Sequence, residues 1–416
     1  MANREQVREI VRAVDARIRE QHIGCFCGMD KPLFLISAAY PGVWLEHVYD
    51  SVFYAQNREE GLSLAENTVR LFLSYQTEEG QFPCYIWNAD RLPHLPPEQL
   101  IGYGQIQECV SFARLAFEVY ELNRDKDFLL EVYTACVKWD GWLRRFRMTT
   151  GRGLIEMFYG YDTGHDNSAR LDGMACPGNQ MKDGVPCSAA TLPPDDGVTP
   201  ILAVDMNCNF YGTQVALADM AEELGLPDEA AEWRKKAKEV KENLLCHCFD
   251  AEDCFFYDAD RAGNLRKCRS STVIHLFLEG VLDPTEDREL IEEIYTRYLA
   301  CPTEFGTPYP FPAVSVSDPT LARENPQPNN WGYYSEGLIA LRCTRWMDRY
   351  GFSSDFDRLC EAWLSAWTEA YPDFCMGQEL HPLTGKPSAS SEWYSSTMLF
   401  YLFAAKRLGY TEEFGA

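Results

Sequence analysis

The feature that most constrains this chain is a helical spacing of apolar residues that returns twelve times along 416 residues. The first instance places Val7, Ile10, Val11, Val14 and Ile18 on one face of a helix. The same spacing recurs at roughly 43–56, 60–76, 104–122, 126–147, 205–224, 227–245, 271–279, 285–300, 331–350, 354–371 and 391–408. Short Gly, Pro or Asp turns separate many of these segments. In LGLPDEAAEW, Gly225 stops one helix and Pro227-Asp228 starts the next. Strand signals are few and brief: KPLFLIS (31–37), GLIEMFYG (153–160) and CFFYDAD (254–260). No Gly/Ser-rich or Pro-rich linker divides the chain. The expectation is one all-α domain over residues 1–416, built from consecutive helical hairpins. Twelve helices in pairs predict an (α/α)6 toroid, with inner helices converging on a central cavity.

Four long loops interrupt this pattern, at 77–103, 148–204, 301–330 and 372–390. They are rich in Trp, Tyr, Pro, Asp and Asn. Loops of such length are uncommon unless they carry function or are disordered, and this composition favours function.

Composition narrows the partner. A net charge of −25 repels phosphate backbones and anionic lipid, so nucleic acid and membrane surfaces are excluded in favour of a small neutral or cationic ligand. Aromatic residues reach 13%, enough to stack sugar rings and enough to fill a large core. The first twenty residues carry charges throughout and resemble no signal peptide, and no apolar run approaches the roughly 18–20 residues that span a bilayer. The expected location is therefore the cytoplasm, with the 16 cysteines as reduced thiols. Neither CFC (Cys25, Cys27) nor CHC (Cys246–Cys248) has the spacing of a structural zinc site, so no metal and no cofactor is assigned.

The longest loop contains GYDTGHDNSARLDG (160–173), with Asp162, Asp166 and Asp172 around His165, Asn167, Ser168 and Arg170. Paired carboxylates are the tools of acid–base chemistry, one protonated to donate and one ionised to accept. Asp166, between His165 and Asn167, is the best donor candidate. A structural reading stands beside it: Asp-Asn-Ser forms Asx turns and helix caps, and Arg170 can bridge Asp162 or Asp172. The aspartate spacing is not that of a calcium loop.

GHDNSARLD is similar to the G-W-D-N-S-P-R-W-D loop of family 63 glycoside hydrolases and their bacterial relatives that hydrolyse mannosylglycerate and glucosylglycerate. Trehalases have a similar loop. The resemblance implies that Asp166 is the general acid, with His165 and Ala169 replacing the usual Trp and Pro. It continues in chain order. LISAAYPGVWLEHVYDSVFYAQ (35–56) resembles the segment in which a Trp and an Asp line the cavity, here Trp44 and Asp50. VDMNCNFYGTQVALADMAEELG (204–225) resembles the V-D-L-N helix and places Asp205 and Asn207 at the pocket end. FDAEDCFFYDAD (249–260) and YPFPAVSVSDP (309–319) resemble two further family segments.

Two departures stand out. The family's R-G-P-V-W segment reads PQPNNWGYYSEGL (326–338) here, so its arginine is missing; Trp331 still offers a stacking face, with Asn329, Asn330, Tyr334 or Glu336 as polar contacts. The family's E-x-Y-x-P-x-T-G segment, whose glutamate activates water, reads GQELHPLTG, which puts Gln378 in that register. Glu379 displaced by one residue is the favoured base, Glu392 the second choice, and His381 a further candidate.

The resemblance implies an inverting α-glycosidase acting on a small α-glucoside or α-mannoside. Trp44, Trp87, Tyr103, Trp331 and Trp393 are candidate stacking platforms. Gln107, His165, Asn167, Tyr334 and Gln378 are candidate polar contacts. Arg170 is a candidate to hold an anionic aglycone, or is simply structural. Two other readings remain: a sugar isomerase or epimerase on the same toroid, which would need paired histidines, and a degenerate sugar-binding protein, to which Gln378 and the lost arginine point. Oligomeric state is left open.

Overall fold

In a computed structural model, the described residues are 3–25, 31–37, 40, 42–165, 168–172, 174, 181–182, 185–186, 188–192, 197–321, 331–388 and 391–412. The helices run in chain order as α1 (Arg4–Arg17), α2 (Val48–Asn57), α3 (Gly61–Ser74), α4 (Pro97–Leu100), α5 (Phe112–Asn123), α6 (Lys126–Phe146), α7 (Val204–Glu223), α8 (Pro227–His247), α9 (Ile274–Leu278), α10 (Arg288–Ile294), α11 (Gly337–Arg342), α12 (Ser353–Ala370) and α13 (Ser395–Arg407). They divide by burial. Helix α8 buries one stripe, Ala230, Trp233, Ala237, Val240 and Leu244, as an outer helix does. Helix α7 is buried almost all round, from Val204 to Ala221. Its small and polar side chains, among them Asn207, Asn209, Gly212 and Thr213, sit inside only because neighbouring helices satisfy them.

The buried helices adjoin one another: α2 packs on α5, α5 on α7, α7 on α9, and α11 on α13. Helix α13 returns to α2, so the end of the chain meets its beginning. With α1, α3, α6, α8, α10 and α12 outside, this is the (α/α)6 toroid that the repeated spacing predicts. Local signals behave as expected at several joints. Gly225 takes φ +75° after α7, and Pro227 opens α8. Half of the ten tryptophans serve the core outright: Trp139, Trp142, Trp346, Trp363 and Trp367 are fully buried within it.

The predicted helix boundaries fail in one systematic way. Four inner segments start later than their apolar spacing implies, at Val48, Phe112, Gly337 and Ser395. The residues before three of them are drawn into loop structure instead. Gly42–Trp44 pairs with Tyr85–Trp87, which pairs with Ile101–Gly102. Ile106 donates its N–H to the Asp162 side chain, and Gln107 takes φ +46°. Ser335–Glu336 pairs with Glu379–Leu380. These displaced starts gather at one place, and the cavity described next is built from them.

Candidate active site

The 160–172 loop is fastened by Asp162. This buried carboxylate accepts the N–H groups of Ile106, Phe158 and Tyr159 at 2.9–3.0 Å and pairs with Arg147 at 2.7 Å. Arg147 in turn donates to the carbonyls of Glu156 and Ala189. A buried carboxylate is tolerable here because every neighbour is a donor. The chain then turns at Gly164, in the left-handed region at φ +72°.

Arg170 does not bridge Asp162 or Asp172. It reaches the first turn of α7, with one Nη 2.6 Å from Asp205 and the other 2.8 Å from Asp258. Asp205 also accepts the Met206 N–H, and Asp258 the Val204 N–H. Asp172 is exposed, and its carbonyl accepts from Arg266. Asp166 and Asn167 lie outside the described residues.

Beside Gly164 lies a cavity of about 50 Å³, room for a few waters, walled by Tyr40, Trp44, Glu46, His47, Gln107, Trp331, Leu338, Gln378 and Tyr394. Glu46 is buried and pairs with the equally buried Arg342 at 2.7 Å. Burial pushes the Glu46 carboxyl above its ordinary value, and Arg342 opposes that rise. His47 Nε2 and the Tyr394 hydroxyl share a 2.6 Å hydrogen bond. Burial, with Arg342 adding to it, lowers His47 to about 3, so this imidazole is neutral near pH 7. His165 lies flat against Trp331, ring centroids 4.1 Å apart and planes within 11°. Burial first, then Arg170, His275 and Arg342, holds it well below the usual histidine range. Neither of its ring nitrogens has a hydrogen-bond partner among the described residues.

Of the residues singled out from sequence, Trp44, Gln107, Trp331 and Gln378 line the cavity, and His165 backs it. The others stand elsewhere. Trp87 meets Trp44 edge-on at 5.4 Å, and the Tyr103 hydroxyl donates to the Tyr75 carbonyl. Asp50 is enclosed between the hydroxyls of Ser395 and Ser396. Burial lifts it to about 7 against those hydrogen bonds. The Asn207 amide is committed to the backbone of Ile155 and Ala203, and Asp205 to Arg170. Tyr334 sits edge-on to Tyr333 and His381, and Trp393 lies under the Arg17 guanidinium at 5.0 Å.

The three base candidates are also placed. Glu379 is buried on the short strand next to Gln378 and accepts from Ser388, but it is not among the lining residues. Glu392 is exposed. His381 Nδ1 accepts the N–H groups of Leu383 and Thr384, leaving Nε2 to donate to Tyr333, the arrangement of a turn organiser.

Sequence reasoning missed Tyr40, Glu46, His47, Arg342 and Tyr394. A signal for two of them was present: Glu46-His47 interrupts VWLEHVY, a polar pair between apolar neighbours. No local signal marks Arg342, which meets Glu46 across 296 residues of sequence.

Solved structures share this fold. A mannosylglycerate hydrolase of glycoside hydrolase family 63 from Thermus thermophilus, in complex with Tris and D-glycerate, superposes with a TM-score of 0.68. It is 16% identical, over 95% of this chain and 99% of that one. An uncharacterized conserved protein from the same organism gives 0.69 at 18% identity over the same shares. The neutral trehalase of Saccharomyces cerevisiae gives 0.63 at 15% identity, over 97% of this chain and 80% of that one. Among curated proteins, an uncharacterized protein of Borreliella burgdorferi is 28% identical over 131 residues, 32% of this chain. The match spans about a quarter of that relative (26%). The family model for the mannosylglycerate hydrolase MGH1-like glycoside hydrolase domain matches residues 49–331, more than half of the sequence. With its helical toroid and looped end cavity, the chain belongs to the MGH1-like glycoside hydrolases.

Proposed function

We propose that this glycoside hydrolase is an inverting α-glycosidase for a small α-glucoside or α-mannoside, of the oligosaccharide or glycosyl-glycerate kind. The observation that carries the reading is the cavity itself. Two tryptophans, Trp44 and Trp331, and the neutral His47 share its wall with Glu46, a mixed apolar and hydrogen-bonding surface of the kind that contacts sugars. The wall includes Gly164, two positions before Asp166 in the sequence. Asp166 gives its proton to the glycosidic oxygen, while a carboxylate takes a proton from water on the opposite face of the ring. Inversion requires the two carboxyl groups to stand about 6.5–9.5 Å apart. Arg170, with both Nη groups taken by aspartates, fastens the loop to α7 rather than holding an aglycone. The buried thiols, such as Cys109, Cys136 and Cys208, fit a reducing compartment such as the cytoplasm.

One observation favours a second reading, sugar binding without turnover: Gln378 stands in the cavity wall in the register of the family's base. A panel of α-linked disaccharides, mannosylglycerate and glucosylglycerate, followed by NMR of the first-formed anomer, separates the two. The hydrolase releases a sugar of inverted configuration, and Asp166→Asn abolishes it with the fold intact. Binding without release supports the second reading, and interconversion of free sugars would point to an isomerase.

A further inference from the structure

The register that assigns water activation to a glutamate is occupied by Gln378, whose amide cannot accept a proton at neutral pH. Its neighbours do not replace it at the wall: Glu379 is buried and is not one of the lining residues, and Glu392 is exposed. Among the described residues, the carboxylate that does face the cavity is Glu46, which shares the wall with Gln378. One Glu46 oxygen pairs with an Arg342 Nη at 2.7 Å. Both oxygens lie beside Gly164, where a Cβ in place of the glycine hydrogen would stand 3.1 Å from the oxygen not paired with the arginine and 3.3 Å from the other. The glycine thus lets the 160–172 loop close onto this carboxylate.

We propose that Glu46, rather than a glutamate of the 377–396 segment, takes the proton from the attacking water. The inference rests on the acid–base reading above. The water oxygen bonds to the anomeric carbon as its proton passes to Glu46. The bond from that carbon to the glycosidic oxygen breaks, and the leaving oxygen keeps the electron pair and takes the proton of the acid. Exchange with solvent then returns the proton from Glu46 and reloads the acid. Arg342 acts as a positioning residue that keeps Glu46 ionised and aimed. Burial, which raises the Glu46 carboxyl, makes it a stronger base than an exposed glutamate.

Glycosyl fluorides test this directly, because fluoride departs without help from an acid and isolates the base. With α-D-glucosyl and α-D-mannosyl fluoride as probes, Glu46→Gln lowers kcat by about 10²–10⁴-fold with KM little changed. Glu379→Gln and Glu392→Gln stay within about threefold of wild type, well inside the loss expected of a base. Azide restores turnover to Glu46→Ala and yields the β-glycosyl azide. Glutamine keeps the volume and an oxygen for Arg342. If it nevertheless fails to fold, Glu46→Asp keeps the ion pair and withdraws the carboxylate, and the same loss of kcat with unchanged melting is expected. Wild-type-like kcat in Glu46→Gln, or in a folded Glu46→Asp, overturns the proposal, as does azide rescue of Glu379→Ala or Glu392→Ala instead. If wild type releases sugar from neither fluoride nor from the glycoside panel, the acid–base reading itself falls and this inference falls with it.

Discussion

Two buried arginines stand near the same loop and do opposite things. Arg170 divides its two Nη groups between Asp205 and Asp258, and each aspartate has a further backbone donor. Arg342 gives one Nη to Glu46, while its Nε and other Nη have no partner among the described residues. The first network satisfies both Nη groups and leaves only the Arg170 Nε without a partner among the described residues, so it is the more closed of the two and ties the 160–172 loop to α7. The second is open and borders a cavity. A closed network makes a scaffold rigid; an open one keeps polar capacity for a ligand or water. Chemistry therefore belongs with Arg342 and Glu46.

Mutation sharpens this contrast. Arg170→Met leaves two buried carboxylates without their cation and should cost about 3–5 kcal/mol in urea unfolding. A loss below about 1 kcal/mol would show that the closed network is dispensable. Arg342→Met strands only one carboxylate, so about 1–3 kcal/mol is expected, together with a fall in kcat. Equal stability losses for the two variants would erase the distinction.

Gly164→Ala adds strain in the left-handed region, about 1–2 kcal/mol, and its Cβ presses on Glu46 and Cys109. Activity should drop more than melting temperature suggests; a purely thermal effect would separate the loop from the carboxylate.

The last test is read in pH and concerns Asp50. Its carboxyl is raised from 3.8 to about 7 by burial, so the folded protein holds a proton that the unfolded chain releases. Its stabilising contribution is full below about pH 4 and is lost as pH rises towards 7. Asp50→Asn should flatten the pH dependence of unfolding across that window. An unchanged slope in urea titrations at about pH 4, 5.5 and 7 would assign the dependence to other groups.

Much of the fold was legible in one dimension because an amphipathic helix is a local pattern. Val7, Ile10, Val11 and Val14 predict a helix from spacing alone, and Gly225 and Pro227 mark a joint from backbone chemistry alone. The spacing failed at 104–111 and 331–336 because partners distant in sequence, Asp162 and the 379–380 strand, claim those residues. The bridge expected between Arg170 and Asp162 or Asp172 does not form: Asp162 pairs with Arg147, and nothing in the loop made legible the partners of Arg170. Asp205 and Asp258 lie 35 and 88 residues away from it, beyond any local pattern.

The sequence by itself determined the twelve helices that pair into the ring, though not the short α4 within a predicted loop, together with the all-α class, the loops that gather at the site, and the family resemblance of the 160–173 loop. Only the tertiary structure decided which side chains meet there. Gln378 and Glu379 are adjacent in sequence, yet Gln378, just before the strand Glu379–Leu380, lines the cavity, whereas Glu379, on the strand and bonded to Ser388, does not. Glu46 and Arg342 carry no shared local signal, and toroid closure alone makes them neighbours. Helix-forming energy is local and readable in order; the electrostatics of a cavity depend on contacts that exist only once the ring has closed.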